Sequence, residues 1–169
     1  RGIRLKSRFK IADKIITYIK ETVDPIMIHI GSDGDPFASL VYRYFLKHCP
    51  RKSNISFSIQ TNGLLIEKMY NKNKWLFDQL DTVGLSVDGC SKEVYEKLRR
   101  GGKFDILESN LEFLASIKKR HNFQIVFHCV VQKQNVHQLE DYTHFADRFS
   151  ADKIWSNRIG DWKTYEDFQ

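Results

Sequence analysis

The sequence predicts an α/β domain built on a mainly parallel sheet, and two observations support this prediction. Short apolar runs alternate with longer segments of helical spacing, and this order recurs five times along the chain. A strand followed by a helix in each repeat implies right-handed crossovers, which make neighbouring strands parallel. The 169 residues suffice for one domain with its own core, so we expect residues 1–169 to form a single domain.

Five short apolar runs are the predicted strands. They are Ile26–Ile30, Ile55–Ile59, Val83–Val87, Gln124–Val131 and Lys153–Asn157. Several of them are apolar on both faces. This is typical of a sheet that helices cover on both sides or that curls into a barrel.

Helical spacing marks the segments around these strands. Apolar residues recur at three and four positions over 6–22, and residues 105–120 place four apolar side chains on one stripe. Further helices are predicted from Leu64 onward and over 91–98. Because no strand precedes the helix over 6–22, we expect the first strand of the repeat to be missing from this chain.

Two helix starts are predicted from capping residues. Asp35 is expected to cap a helix that has Pro36 at its first position and ends at His48. Asn135 and Gln138 resemble a capping box, which opens a helix over 136–148.

Composition and charge exclude several classes of protein. An apolar content of 41% excludes a disordered chain, and no apolar run approaches the roughly 18 residues of a membrane span. We find no signal-peptide pattern and expect a cytoplasmic protein without a membrane partner. Much of the net charge of +6 lies in the first twenty residues, where we expect the solvent face of a helix and no nucleic-acid site.

The cysteines and histidines show no metal-ligand spacing. Cys49, Cys90 and Cys129 are about forty residues apart, without a C-x-x-C pair, and the six histidines are scattered. We therefore interpret the cysteines as semi-buried thiols of a reduced protein and assign no metal ligand.

Polar motifs follow four of the predicted strands. They are Ser32–Pro36, Thr61–Gly63, Ser86–Gly89 and Gln132–Asn135. Each can be explained alone as a helix cap or a tight turn. Together they recur at the carboxyl ends of parallel strands, which is where open α/β sheets and β/α barrels bind ligands.

The order of these motifs resembles the core domain of radical S-adenosylmethionine (radical SAM) enzymes. The segments are GSDGDPF, IQTNG, LSVDGCSKEVYEKLRRGGKFD, VVQKQNVHQLEDY and ADKIWSNRIGDW, which together span most of the chain from Ile26 to Trp162. They are most similar to the peptide- and sugar-modifying, SPASM/twitch-like branch. The resemblance implies a partial (β/α)6 barrel of the TIM type with parallel strands, lacking the first strand and the cluster loop.

The resemblance also implies cofactor-binding roles near the first three strand ends. Gly34 and Asp35 match a Gly-Gly-Glu-Pro segment whose carbonyls bind the amino group of S-adenosylmethionine, with Asp in place of Glu. Asn62 matches a Thr-Asn-Gly turn near the cofactor. Ser86 matches a serine that contacts the ribose, and Asp88 follows in the same motif.

Four further positions take roles from the same family. Arg99 matches an arginine that pairs with the cofactor carboxylate, and Arg100 is the alternative. Val131 and Asn135 match the region that lines the adenine. Asn157 lies at the last strand end, where cofactor and substrate meet. No catalytic residue can be assigned.

One departure from the family is large. The family holds a [4Fe–4S] cluster on a C-x-x-x-C-x-x-C loop, and electrons from this cluster break the C–S bond of the cofactor. That triplet does not occur in this sequence. We expect the parent protein to carry it upstream of Arg1 and to need an electron donor, and we expect this chain alone not to catalyse the reaction on its unknown substrate.

Two other functions remain open from the residues alone. Asp33-Gly34-Asp35 is a D-x-D pair, a carboxylate spacing that can hold Mn²⁺ or Mg²⁺ against a nucleotide-sugar in a glycosyltransferase-like domain. The chain would alternatively be a non-catalytic binding module, because a fold does not by itself fix an activity.

Overall fold

The structure is a computed structural model that describes residues 2–31 and 34–160. Its centre is one parallel sheet whose strand order follows the sequence. The strands are β1 Ile26–Ile30, β2 Ile55–Thr61, β3 Leu80–Ser86, β4 Gln124–Val131 and β5 Lys153–Arg158. The predicted α/β fold with parallel strands is therefore confirmed, and each predicted strand exists within a few residues of its expected bounds.

One helix precedes β1, and the other helices connect consecutive strands. They are α1 Gly2–Glu21, α2 Leu40–His48, α3 Ile66–Lys72, α4 Lys74–Asp78, α5 Lys92–Leu98, α6 Phe104–His121 and α7 Leu139–Arg148, with a 3₁₀ turn over Val136–Gln138. Since parallel crossovers are almost always right-handed, an order without reversal puts all the helices on one face of the sheet. This is the order of a partial β/α barrel, of which the described residues hold five of the six predicted strands.

The core lies between the sheet and these helices. Along β2 the side chains alternate, so that Ile55, Phe57 and Ile59 are buried while Ser58 and Gln60 on the other face are only half-buried. Full burial of such apolar side chains stabilises the fold by about 1.5–3 kcal/mol each. We call the helix-covered face the outer face of the sheet and the opposite, polar face the inner face.

The predicted start of α2 is wrong. The helix begins at Leu40, and its N-cap is Ser39, whose hydroxyl accepts the Tyr42 N–H at 3.4 Å. Asp35 instead caps a turn, because its Oδ1 accepts the N–H groups of Phe37 and Ala38 at 2.9 and 3.2 Å. The polar motif after β1 is thus a structure of its own and not the first turn of the helix.

The predicted capping box at Asn135 is also wrong. Asn135 makes no side-chain cap, residues 136–138 form the 3₁₀ turn, and α7 begins only at Leu139. The Asn135 amide is used elsewhere, in bonds between the ends of β3 and β4. The helix predicted from Leu64 is two short helices that meet at Asn73.

The basic residues near the start of the chain lie on α1. Lys6, Arg8 and Lys10 are exposed, as expected for the solvent face of a helix. Among the described residues, no helix is long and apolar enough to cross a membrane.

Candidate functional site

The inner face of the sheet carries small and polar side chains in register. Pairing of the strands places Ser58 beside Thr82 and Gln60 beside Gly84. With His128 of β4, these residues line an open groove of about 590 Å³. Sites for small molecules commonly have this size. The inner face is therefore the surface of this sheet on which a small polar ligand fits.

Asp35 joins the ends of β1 and β2. Its Oδ1 caps the turn described above, and its Oδ2 accepts the Thr61 hydroxyl at 2.6 Å and the Asn62 N–H at 2.8 Å. The Asn62 side chain in turn accepts the N–H of Leu64 at 3.0 Å, which fixes the turn after β2. Four donors thus bind one carboxylate, so both oxygens of Asp35 are already occupied. We call the carboxyl ends of β1 to β4, with the turns that follow them, the rim of the sheet, and Asp35 holds part of this rim together.

Asp88 and Arg99 form an ion pair at the end of β3. Arg99 Nε lies 2.6 Å from Asp88 Oδ2, and the side chain of Asp88 is 8% exposed while that of Arg99 is 30% exposed. Arg99 Nε has no hydrogen-bond partner, so the contact is described as an ion pair. Asp88 Oδ1 also accepts the Val130 N–H at 2.8 Å. The carboxylate therefore ties β3 to β4 and to the end of α5.

Asn135 completes this connection. Its Nδ2 donates to the carbonyls of Asp88 and Val130, both at 2.9 Å, and its Oδ1 accepts the Gln132 N–H at 2.8 Å. The residue is 2% exposed. Because Asn135 is buried and its side chain makes three hydrogen bonds to backbone groups, it is a structural part of the loop that follows β4.

Ser86 lies on the inner face and contacts a residue that the motif analysis did not single out. Gln60 Nε2 donates to Ser86 Oγ at 2.8 Å. The signal for Gln60 was present in the sequence, because Gly84 stands in the interior of a strand. A glycine at such a position often marks the close approach of another group.

His128 is the second inner-face residue that the motif analysis missed. It pairs in register with Ser86 on one side and with Trp155 on the other. Burial lowers the pKa of His128 below its ordinary value of 6.5. The imidazole is consequently neutral near pH 7 and offers one donor and one acceptor to the groove.

The remaining predicted site residues differ in their surroundings. Gly34 is exposed and has φ +84°, a conformation that favours glycine, with open space where a Cβ would stand. Val131 packs against the core, and Asn157 is exposed on β5 beside Val130. The structure thus brings Asp35 and Asn62 together at the ends of β1 and β2, and Asp88, Arg99 and Asn135 together at the ends of β3 and β4. The other predicted site residues, Gly34, Ser86, Val131 and Asn157, belong to neither group.

The described residues do not fit a [4Fe–4S] cluster. Nowhere in residues 2–31 and 34–160 do three His, Cys, Asp or Glu side chains converge as metal ligands. Burial raises the pKa of the Cys49 and Cys129 thiols to about 11, so that both are protonated near pH 7. Cluster ligation requires thiolates.

The D-x-D alternative finds no support at Asp35. A metal-holding carboxylate needs free oxygen lone pairs, whereas both oxygens of Asp35 accept hydrogen bonds from the protein. Asp33 lies outside the described residues, as do Ser32, Asp161 and Trp162 of the quoted motifs.

Comparison with solved structures supports the fold. The crystal structure of SuiB from Streptococcus suis matches with a TM-score of 0.61 at 17% identity, over 85% of this chain and 32% of that chain. SuiB bound to S-adenosylmethionine gives the same score over 82% of this chain and 31% of that chain. The structure of anSMEcpe with bound AdoMet gives 0.57 at 20% identity, over 89% and 44%. Because these structures are at most 20% identical to this chain, the matches show a shared fold.

Comparison of sequences gives the family. A cysteine-type anaerobic sulfatase-maturating enzyme from Clostridium novyi (strain NT) is 28% identical over 130 residues, which are 72% of this chain and 32% of the relative. The chain thus spans about a third of the length of this relative. The sequence model described as Radical SAM superfamily matches residues 2–146. The chain belongs to the radical SAM superfamily.

Proposed function

We propose that this chain is the S-adenosylmethionine-binding portion of a radical SAM enzyme. The whole enzyme would cleave the cofactor to a 5′-deoxyadenosyl radical, which abstracts hydrogen from a substrate. The observation that carries the proposal is the family match over residues 2–146, because it spans the four strand ends at which the polar residues lie. S-adenosylmethionine is the cofactor of this family, and a [4Fe–4S] cluster is expected with it.

The residues of the groove and rim suit the parts of S-adenosylmethionine. The cofactor carries a carboxylate, an amino group, two ribose hydroxyls and an adenine. Ser86 offers a hydroxyl on the inner face, and Val131 offers an apolar side chain at the end of β4. Gly34, Asp35 and Asn62 lie at the ends of β1 and β2, where backbone carbonyls can receive the amino group.

Arg99 is the proposed partner of the cofactor carboxylate. Only its Nε is committed to Asp88, and neither terminal nitrogen has a hydrogen-bond partner among the described residues. A guanidinium with free amino groups is suited to bind a carboxylate in a bidentate geometry. Asp88 then acts as a brace that holds the Arg99 side chain, while Asn135 and Asn157 border the adenine and the substrate.

The cluster ligands are proposed to lie outside the residues that the structure describes. Since those residues do not fit a cluster, no step of electron transfer is assigned to them. We expect the chain alone to bind the cofactor without turning it over. We also propose an external electron donor for the whole protein, a cytoplasmic setting and neither a nucleic-acid nor a membrane partner.

A peptide is the proposed class of substrate. SuiB has been solved bound to the precursor peptide SuiA, and the relative from Clostridium novyi is a sulfatase-maturating enzyme. The inner face of this chain offers neutral hydroxyl, amide and imidazole groups, which suit the amides of a peptide backbone.

Titration calorimetry with S-adenosylmethionine tests the proposed function. We expect the wild-type chain to bind the cofactor and Arg99→Ala to bind it roughly 10- to 150-fold more weakly, since a lost charged hydrogen bond is worth about 1.5–3 kcal/mol. Lys97→Ala, at an exposed position in the last turn of α5 just before Arg99, is the matched control and should bind like wild type.

Three outcomes separate the alternatives. No binding of S-adenosylmethionine by the wild-type chain would contradict the proposal. Binding of a nucleotide-sugar that depends on Mn²⁺ would favour the glycosyltransferase-like reading. If Arg99→Ala binds like wild type, Arg99 is not the carboxylate partner and Arg100 becomes the residue to test.

A further inference from the structure

Gln60 crosses the inner face of the sheet in space that two glycines provide. A Cβ on Gly84 would lie 2.1 Å from Gln60 Oε1, and a Cβ on Gly31 would lie 2.6 Å from Gln60 Cβ. Gly31 directly follows β1 and Gly84 lies in β3, so the two glycines stand beside Gln60 on opposite sides of β2. Glycine weakens a strand interior and is found where another group approaches closely. Gly84 thus leaves room for the amide of Gln60, whereas Gly31 leaves room for its Cβ and backbone.

The direction of the hydrogen bond between Gln60 and Ser86 determines whether the Ser86 hydroxyl can donate to a ligand. Gln60 Nε2 donates to Ser86 Oγ at 2.8 Å. A serine hydroxyl has one hydrogen to donate and two lone pairs to accept with. Since the amide occupies a lone pair, the hydroxyl hydrogen remains available to a ligand. The oxygen of the same amide lies in the space above Gly84, where His128 Nε2 would also stand 3.0 Å from an added Cβ.

We propose that Gln60 is a positioning residue that fixes the Ser86 hydroxyl as a hydrogen-bond donor to the bound ligand. The inference rests on the proposed function, in which Ser86 contacts the ribose of S-adenosylmethionine. Gln60 acts through Ser86, and Gly84 is the residue that leaves room for the Gln60 amide to reach it. A ligand oxygen placed against Ser86 is therefore an acceptor, as an ether or hydroxyl oxygen of a ribose can be.

The substitution Gln60→Glu reverses this bond with almost no change of shape. A carboxylate only accepts, so it takes the Ser86 hydrogen and leaves the hydroxyl with lone pairs alone. We expect the affinity for S-adenosylmethionine to fall roughly tenfold, the effect of about 1.4 kcal/mol. Asn71→Asp likewise replaces an amide by a carboxylate, at an exposed position of α3 that does not line the groove, and is the matched control, which should keep the wild-type affinity.

A double-mutant cycle distinguishes positioning from a general structural role. If Gln60 acts through Ser86, Gln60→Glu added to Ser86→Ala should cause no further loss of affinity, because the hydroxyl that it controls is already gone. A general disturbance of the sheet would lower the affinity equally in both backgrounds. Gln60→Met, which fills similar space without a donor or a charge, provides a second variant if Gln60→Glu does not fold.

The outcomes of this experiment are distinct from those of the function test. Binding by wild type that Gln60→Glu leaves unchanged overturns the role of Gln60 while the proposed function stands. An equal loss in both backgrounds also overturns it. Absence of binding by wild type contradicts the proposed function itself, and the role of Gln60 toward that cofactor with it.

Discussion

The two faces of the sheet are built on different principles. On the outer face, apolar side chains such as Phe57, Ile59 and Leu85 are at most 1% exposed beneath the helices. On the inner face, the neighbouring residues in the same strands are Ser58, Gln60 and others that are only half-buried. The alternation is strict in β2, where each buried residue of the outer face is followed by a half-buried residue of the inner face.

The two faces differ in how far their side chains can be substituted without loss of the fold. Outer-face side chains meet a close-packed core, where the loss of a few atoms leaves a cavity. Inner-face side chains meet an open groove, so their removal costs little stability while it alters the hydrogen bonds offered to a ligand. At the rim, the side chains of Asp35 and Asp88 connect the strand ends, so substitutions there are expected to affect both the stability of the fold and the binding of a ligand.

The largest expected effect comes from comparing two adjacent residues on opposite faces. Phe57→Ala removes a fully buried ring that packs edge-on against Trp75 at 5.8 Å between centroids. We expect it to lower the free energy of unfolding by about 3–5 kcal/mol. Ser58→Ala, one residue further on, should stay within about 0.5 kcal/mol of wild type. Urea denaturation followed by circular dichroism measures both, and similar losses would refute the division between the faces.

An intermediate effect is expected at the rim. Arg99→Met keeps much of the aliphatic packing but leaves the buried Asp88 carboxylate without its cation. Breaking a fully buried ion pair costs about 3–5 kcal/mol, and we expect about 1–3 kcal/mol here because Arg99 remains partly exposed to solvent, which weakens the pair.

The exposed neighbour Arg100 is the control for that prediction. Arg100→Met should leave the free energy of unfolding within about 0.5 kcal/mol of wild type. Equal effects of the two substitutions in thermal or urea unfolding would show that the contact between Arg99 and Asp88 does not stabilise the rim.

The smallest expected effect is a dependence of stability on pH from the inner face. Burial lowers the pKa of His128 in the folded chain below its ordinary value of 6.5. Between these two pKa values the unfolded chain binds more protons, so stability falls as the pH drops through this window and levels off below the folded pKa. Urea unfolding at pH 7.5 and at lower pH should show a smaller decrease for His128→Gln than for wild type. An identical decrease would assign the dependence to other groups.

The strand-and-helix order was predictable because it rests on local periodicity. The strands from Ile26 to Ile30 and from Gln124 to Val131 have the predicted bounds, and the helix over 105–120 differs by one residue at each end. The start of α2 and the capping box at Asn135 were not predictable in the same way. Both Asp35 and Asn135 have the residue type of a helix cap. Each instead forms a side-chain hydrogen bond with a residue distant in sequence, Asp35 with Thr61 and Asn135 with Asp88.

The candidate site shows the same limit. Motif order alone indicated Ser86, Asp88 and Arg99 as parts of one rim, and it assigned Arg99 to a ligand. That Arg99 also pairs with Asp88, 11 positions earlier in the chain, appears only in the fold. Gln60 was inside a quoted motif, yet its partner Ser86 lies 26 residues away, and nothing in either segment alone names the other.

The sequence by itself determined the family, the parallel α/β order and the rim of polar strand ends, because periodicity and motif order are local and read along the chain. The tertiary structure decided which of those polar groups are free to meet a ligand. Both carboxylate oxygens of Asp35 accept hydrogen bonds from the protein. Arg99 pairs with Asp88 through Nε alone, and Gln60 orients the Ser86 hydroxyl. The physical reason is that a hydrogen bond depends on the distance and direction between groups, which parallel pairing of the strands sets across tens of residues of sequence.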